Sequence, residues 1–235
     1  MDRLRRIVRP RDARPKGAEY LAPYEIAAKR HGPSFEATLW ASREAQRERF
    51  RVIADMADLS GRVLLDAGSG CGDLALHLRE AAVVLARYIG LEGVASVAPA
   101  ACSCAVPGAE FIQADFVADH SVFARLRPDV VVFSGSLNTL DQPDALAVLD
   151  RAWAAVRGAP CLAEGRSAAL VFNFLSDRCS ERLRRQDSSP ARRFDTAAML
   201  GWALDRATGV RFRQDYLPEG HDATICMRVD ERAAR

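Results

Sequence analysis

Between Arg62 and Leu175 the chain alternates short apolar runs with amphipathic stretches, and few architectures satisfy that pattern. The runs are VLLDA (63–67), RYIGLE (87–92), AEFIQA (109–114), PDVVVFSG (128–135) and AALVFNFL (168–175). They are continuous rather than alternating, which suits strands buried on both faces of a parallel sheet. The stretches between them (73–86, 93–105, 119–126 and 142–157) carry helical patterning. Regular strand–helix alternation of this kind predicts an α/β fold with a doubly wound, mostly parallel sheet, here of seven strands. After a helix over 196–209, VRFRQDYL and DATICMRV flank a P-E-G-H turn and predict a terminal antiparallel β-hairpin.

A chain of 235 residues suits one domain with a decorated terminus. Residues 1–17 are Arg-rich and interrupted by proline, so a flexible basic arm is expected there. Residues 18–60 turn helical: Phe35, Leu39, Ala45, Phe50, Ile53 and Met56 mostly share a helical face, and Ser60-Gly61 closes the segment. The main domain then spans 61–235. A formal net charge of +2 gives no strong attraction to nucleic acid or to an anionic membrane. No apolar run reaches the roughly 18 to 20 residues of a membrane span, and no apolar stretch follows the charged N-terminus as in a secretory signal. The six cysteines (71, 102, 104, 161, 179 and 226) lack zinc-site spacing, so no metal site and reduced thiols in a cytoplasmic protein are expected.

The stretch Asp66-Ala67-Gly68-Ser69-Gly70-Cys71-Gly72-Asp73 directly follows the first strand and opens a helix. Glycines in such a turn let the backbone bend tightly and let a ligand approach main-chain atoms. The dinucleotide fingerprint G-x-G-x-x-G needs a third glycine where Asp73 stands, and no Gly-Lys-Ser/Thr follows to make a phosphate loop. The observed D-x-G-x-G-x-G resembles instead the first motif of the Rossmann-like class I S-adenosylmethionine-dependent methyltransferases. Glu92 ends the second strand where that family places an acidic residue on the ribose hydroxyls. Asp115 follows the third strand at the family's adenine position, with Phe116 beside it for the ring. Ser134 and Gly135 end the fourth strand, where the family walls cofactor from acceptor. The resemblance runs over about residues 40 to 229 and implies S-adenosyl-L-methionine as cofactor, with Asp66, Gly68, Ser69, Gly70 and Gly72 shaping its cradle. Structural readings stand beside these: Asp66 as an organiser of the loop, Asp115 as a helix N-cap, Phe116 as core.

The text Y-x-x-x-A-x-R-H-G at 24–32, ahead of TLWASREAQRERF, is similar to the N-terminal helices of a bacterial small-molecule methyltransferase-like group, which implies that residues 18–60 form a helical lid. Arg43 is then the candidate for the methionine carboxylate, a group that a guanidinium fork matches, although a solvated helix face accounts for it too. Methyl transfer is an in-line displacement, and a hydroxyl acceptor needs a general base where an unprotonated amine needs none. The candidates are His31 in the lid and His221 in the final turn, with Asn138 to orient the acceptor. Tyr20 and Tyr24 are further candidates for the pocket wall. The family's amino-methylating members carry N-P-P-Y or D-P-P-Y where this chain has SGSLNTL. The stretch ERLRRQDSSPARRF (181–194) exceeds a simple connection and suits an acceptor-side flap. The expected activity is methyl transfer to an O or N atom of a small molecule. RNA or protein acceptors, a nicotinamide-dependent oxidoreductase and a non-catalytic binding protein are the alternatives.

Overall fold

The computed structural model describes residues 18–98 and 106–229, so the basic arm, most of the helix expected over 93–105, Cys102 and Cys104 lie outside the described residues. The core elements follow the expected alternation: β1 (Val63–Ala67), α3 (Asp73–Glu80), β2 (Arg87–Glu92), β3 (Ala109–Gln113), α4 (Val122–Leu126), β4 (Val130–Phe133), α5 (Gln142–Arg157) and β5 (Ala168–Ser176). Then come α6 (Glu181–Arg185), β6 (Arg193–Phe194), α7 (Thr196–Leu204), β7 (Gly209–Arg213) and β8 (Asp222–Val229). Two helices precede them, α1 (Ala22–His31) and α2 (Arg43–Met56).

The sheet order is β3-β2-β1-β4-β5-β8-β7, with β6 paired to the end of β5. The count is thus eight strands rather than seven, because the two-residue β6 is too short to leave a periodic trace. β8 runs antiparallel to both β5 and β7, as the terminal hairpin requires. The apolar strand runs divide between the two faces. Leu64, Val130 and Val132 pack with Ile53, Leu74 and Leu78 of α2 and α3, whereas Leu65, Val131 and Phe133 pack with Val148, Trp153 and Phe123 of α5 and α4. Burial on both sides is what removes the polar alternation from these strands.

The helix boundaries follow their end chemistry. α5 begins where Asp141 accepts a hydrogen bond from the Asp144 amide, followed by Pro143 in its first turn. α3 stops at Glu80 and not at residue 86, because Ala82 takes a left-handed conformation (φ 57°) and the Val83 amide bonds back to Leu78 O at 2.9 Å. The N-terminal region is not one helical face. Gly32 (φ 69°) and Pro33 end α1, a short 3-10 turn covers Phe35–Thr38, and left-handed Leu39 (φ 58°) precedes α2. Leu39 is consequently exposed, and α2 starts only at Arg43, behind Ser42, whose hydroxyl accepts from the Ala45 amide.

The chain runs outward from β1 through β2 to β3 and then returns to place β4 on the other side of β1, which makes the carboxyl edge beside β1 the topological switch point, the usual ligand crevice of open α/β sheets. The N-terminal segment crosses this edge. Thr38 lies against Gly70, Leu21 against Gly93 and Trp40 against Gly135, each beside a position where a glycine leaves the room.

Candidate functional site

The loop after β1 is built to stand open. Gly68 (φ 85°) and Gly70 (φ 54°) adopt conformations that residues with a side chain rarely take, and a Cβ on Gly68 would lie 2.3 Å from Ser136 Cβ. The Gly68 and Ser69 amides both donate to Leu91 O at 2.9 Å, tying the loop to the end of β2. Glu92 completes that tie. Its Oε2 accepts from the Gly70 amide at 2.9 Å and its Oε1 from the Val94 amide at 2.7 Å. A carboxylate oxygen can accept more than one hydrogen bond, so the buried Glu92 holds the loop and keeps acceptor capacity toward the cavity. Burial pushes its acid upward while the amides of Val94, Gly70 and Gly93 pull the other way.

Asp66 sits beneath the loop and accepts a hydrogen bond from the Tyr88 hydroxyl at 2.5 Å. Burial pushes its acid up to about 7 against that bond, and the Glu92 and Asp73 charges add to the rise. Asp115 Oδ1 accepts from the amides of Val117 (2.9 Å) and Ala118 (3.1 Å), and the Tyr20 hydroxyl donates to Oδ2 at 2.7 Å. The loop-ordering role of Asp115 and its place at the cavity therefore coexist in one side chain. Phe116 likewise does both: its ring packs edge-on to Phe133 with centroids 5.5 Å apart, and it also forms part of the cavity wall.

A cavity of about 200 Å³ opens between this edge and the N-terminal segment. Asp66, Gly68, Ser69, Gly70, Glu92 and Asp115 line it from the glycine-loop side. Phe116, Ser134 and Asn138 line it too, as do Tyr20 and Tyr24, the further candidates for its wall. Asn173, buried on β5, donates to Ser134 Oγ at 3.3 Å and accepts the Gly135 amide at 2.7 Å, which fixes the wall after β4. The Asn138 side chain accepts the Leu175 amide at 3.4 Å, and its carbonyl accepts the Arg192 amide at 2.7 Å. The latter bond anchors the turn Ser188–Ala191, which reaches the cavity as the length of 181–194 suggests.

Four expected residues stand elsewhere. Gly72 (φ 87°) starts α3 under the Phe111 ring and does not line the cavity. Arg43 is exposed, with its guanidinium 4.4 Å from the Phe35 ring centroid, and faces a smaller depression with Arg47 and His77. Its neighbour one turn on, Gln46, is the one that turns inward, where it donates to Asp73 Oδ2 at 3.0 Å. His31 is exposed at the end of α1, and His221 binds Asp222 through Nδ1 at 2.5 Å. Neither histidine lines the cavity.

Sequence reasoning missed the support beneath Trp40. Arg49, buried on α2, donates to Asp222 Oδ1 from Nη2 at 2.8 Å and to Oδ2 from Nε, and lies 4.5 Å from the Trp40 ring centroid. The partners are 173 positions apart, so no local pattern announces them.

Residues 47–157 match the family of the methionine biosynthesis protein MetW. No curated protein matches. Among solved structures, an S-adenosylmethionine-dependent methyltransferase from Leishmania major superposes with a TM-score of 0.64 at 14% identity, covering 90% of this chain and 82% of that one. The DhpI–SAH complex gives 0.59 at 17% identity, covering 90% and 95%. The small RNA methyltransferase HEN1 gives 0.60 at 13% identity, covering 78% of this chain and 25% of that chain. The chain thus carries the fold of the class I S-adenosylmethionine-dependent methyltransferases, and the MetW likeness runs from within α2 to the end of α5.

Proposed function

We propose that the protein is an S-adenosylmethionine-dependent methyltransferase acting on a small-molecule acceptor, with residues 18–60 as its lid. The observation that carries this reading is Glu92, a buried carboxylate that holds the glycine loop through the Gly70 amide, accepts the Val94 amide after its own strand and still lines the cavity. A vicinal diol needs that kind of acceptor. The donor set suits the rest of the cofactor: the Ser69 hydroxyl is buried without a partner, Gly68 and Gly70 leave main-chain room, and Asp115 can receive an exocyclic amine. Gln46 on the lid and Asp73 at the start of α3 are joined by a hydrogen bond at the cavity wall and would face the amino-acid end. The cofactor, when bound, would supply an activated methyl on a sulfonium. The chain's part is alignment and exclusion of water: Trp40 and Thr38 press onto Gly135 and Gly70, closing the edge over the site.

A small acceptor fits better than RNA because the described residues that line the cavity include no basic side chain. No helix among the described residues is long and apolar enough to cross a membrane. The four described cysteines are buried thiols not joined in disulfides, the pattern of a reducing, cytoplasmic setting. The test is calorimetric titration of S-adenosylhomocysteine, with NAD as control, into the wild type and Glu92→Ala. Binding of the sulfur nucleotide that the variant loses is the expected result. A folded wild type that binds neither nucleotide would refute the reading.

A further inference from the structure

The N-terminal segment is fastened to the last strand of the sheet, and the fastening ends on a wall of the cavity. Trp40 lines the cavity, and its six-membered ring fills the space beside Gly135, where a Cβ would lie 2.7 Å from it. Its own backbone does little to hold it there. It lies between left-handed Leu39 (φ 58°) and the N-cap Ser42, outside any helix or strand. No hydrogen bond among the described residues engages its main chain or its indole nitrogen. What does address the ring is Arg49, whose guanidinium lies 4.5 Å from its centroid.

Arg49 in turn has one orientation. Its Nη2 and Nε donate to the two carboxylate oxygens of Asp222, a fork that fixes the guanidinium plane where a lysine's single point would not. Both partners are buried, so water does not compete for the pair. Asp222 opens β8 and stands opposite Leu175 of β5. The Leu175 amide donates to Asn138 Oδ1 at 3.4 Å, so a second wall residue takes its place from the same pair of strand ends. Stability alone does not account for the Arg49–Asp222 pair. Apolar groups in place of a buried pair are often neutral, and what they fail to supply is a fixed register.

We propose that Arg49 and Asp222 are positioning residues for the cofactor site: they hold the Trp40 indole against Gly135, so that the cavity is walled before a ligand enters. This rests on the methyltransferase reading. A wall set in advance spares the cost of ordering the indole at binding and keeps water from the reacting carbon. Loosening it lowers the fraction of protein ready to bind, and the apparent affinity falls by that fraction.

The experiment uses the full chain, whose other two tryptophans, Trp153 and Trp202, are buried in the core. The wild type, Arg49→Met with Asp222→Leu, and Arg49→Lys are each compared with the same protein carrying Trp40→Phe, so that the difference isolates Trp40. Acrylamide quenching is read without ligand, S-adenosylhomocysteine is titrated by calorimetry, and urea unfolding shows which variants are folded. In the double variant Trp40 should become more quenchable and its emission should shift to the red. S-adenosylhomocysteine should bind about threefold or more weakly once the cation–π hold is lost. Arg49→Lys keeps the charge but not the fork; it should show both changes in smaller measure, and it decides the matter if the double variant does not fold. A folded variant with wild-type quenching overturns the proposal, as does one whose Trp40 loosens while S-adenosylhomocysteine binds as before. A wild type that binds no S-adenosylhomocysteine overturns the methyltransferase reading instead, and quenching of the ligand-free proteins then still decides whether the pair positions Trp40.

Discussion

Asp222→Ala should be the most damaging single substitution in the N-terminal interface. Asp222 is 1% exposed and Arg49 5%, so removing the carboxylate strands a guanidinium that water cannot reach. Breaking a buried pair from one side costs about 3–5 kcal/mol, and for a domain of this size each kcal/mol lowers Tm by about 2–4 °C. The Trp40 ring 4.5 Å away returns only part of that, since a cation–π contact contributes about 0.5–2 kcal/mol. Urea unfolding followed by circular dichroism should therefore show a loss of at least about 2 kcal/mol. The double variant Arg49→Met with Asp222→Leu removes both charges and should recover most of it, because a buried pair replaced by apolar groups is often neutral. The pH dependence has a defined sign. Burial raises the Asp222 acid, but the His221 hydrogen bond and the Arg49 charge outweigh it and hold the carboxyl below its ordinary value. Its contribution is complete above the unfolded carboxyl value of about 3.9 and fades as pH falls through the lower folded value. The gap between wild type and Asp222→Ala should thus narrow in acid. A loss under about 1 kcal/mol, or a double variant that loses the sum of the singles, would refute the account.

Other substitutions probe the cavity itself. Glu92→Gln keeps the shape but weakens charge-assisted bonds of about 1.5–3 kcal/mol, so S-adenosylhomocysteine affinity should fall by about tenfold or more by calorimetry. Gly135→Ala puts a Cβ 2.7 Å from the Trp40 ring at φ 72° and should displace the indole, read as a shift in tryptophan emission together with a Tm loss. Asp66 behaves oppositely to Asp222. Its folded value of about 7 exceeds the unfolded one, so its ionisation destabilises the fold and stability should fall as pH rises from about 4 toward 7. Asp66→Asn should flatten that slope in urea titrations at stepped pH.

The glycine loop, Glu92, Asp115 and the wall after β4 were legible because each follows an apolar run at a short, fixed distance, and the sheet order then brings those strand ends to one edge. The same logic read α5 to the residue, since Asp141 and Gly158 mark its ends in the sequence. Arg43 and Gln46 show where it fails. Both lie on α2 within one turn, yet only the packing of that helix decides that Gln46 enters and Arg43 rides on Phe35. Leu39 fitted a helical face in the sequence, but the break at Gly32 and Pro33 takes it off that face. The Ser188–Ala191 turn could be suspected from length alone, because its hold on the cavity is a main-chain bond to Asn138 that no side-chain pattern encodes.

The Phe111 ring has a consequence for how this sequence can drift. A Cβ at Gly72 would come within 2.8 Å of it, and one at Gly90, on the neighbouring strand, within 2.5 Å. One aromatic side chain therefore forbids alanine at two places, only one of which belongs to the glycine loop. Shrinking Phe111 first would remove the ring from both, although Gly72 would keep its backbone constraint at φ 87° and a Cβ at Gly90 would still meet Ser69 Oγ at 2.7 Å. Substitutions here are permitted in one order and blocked in the other. Gly90 should accept alanine only in lineages that have already given up the ring and whose Ser69 hydroxyl has turned away.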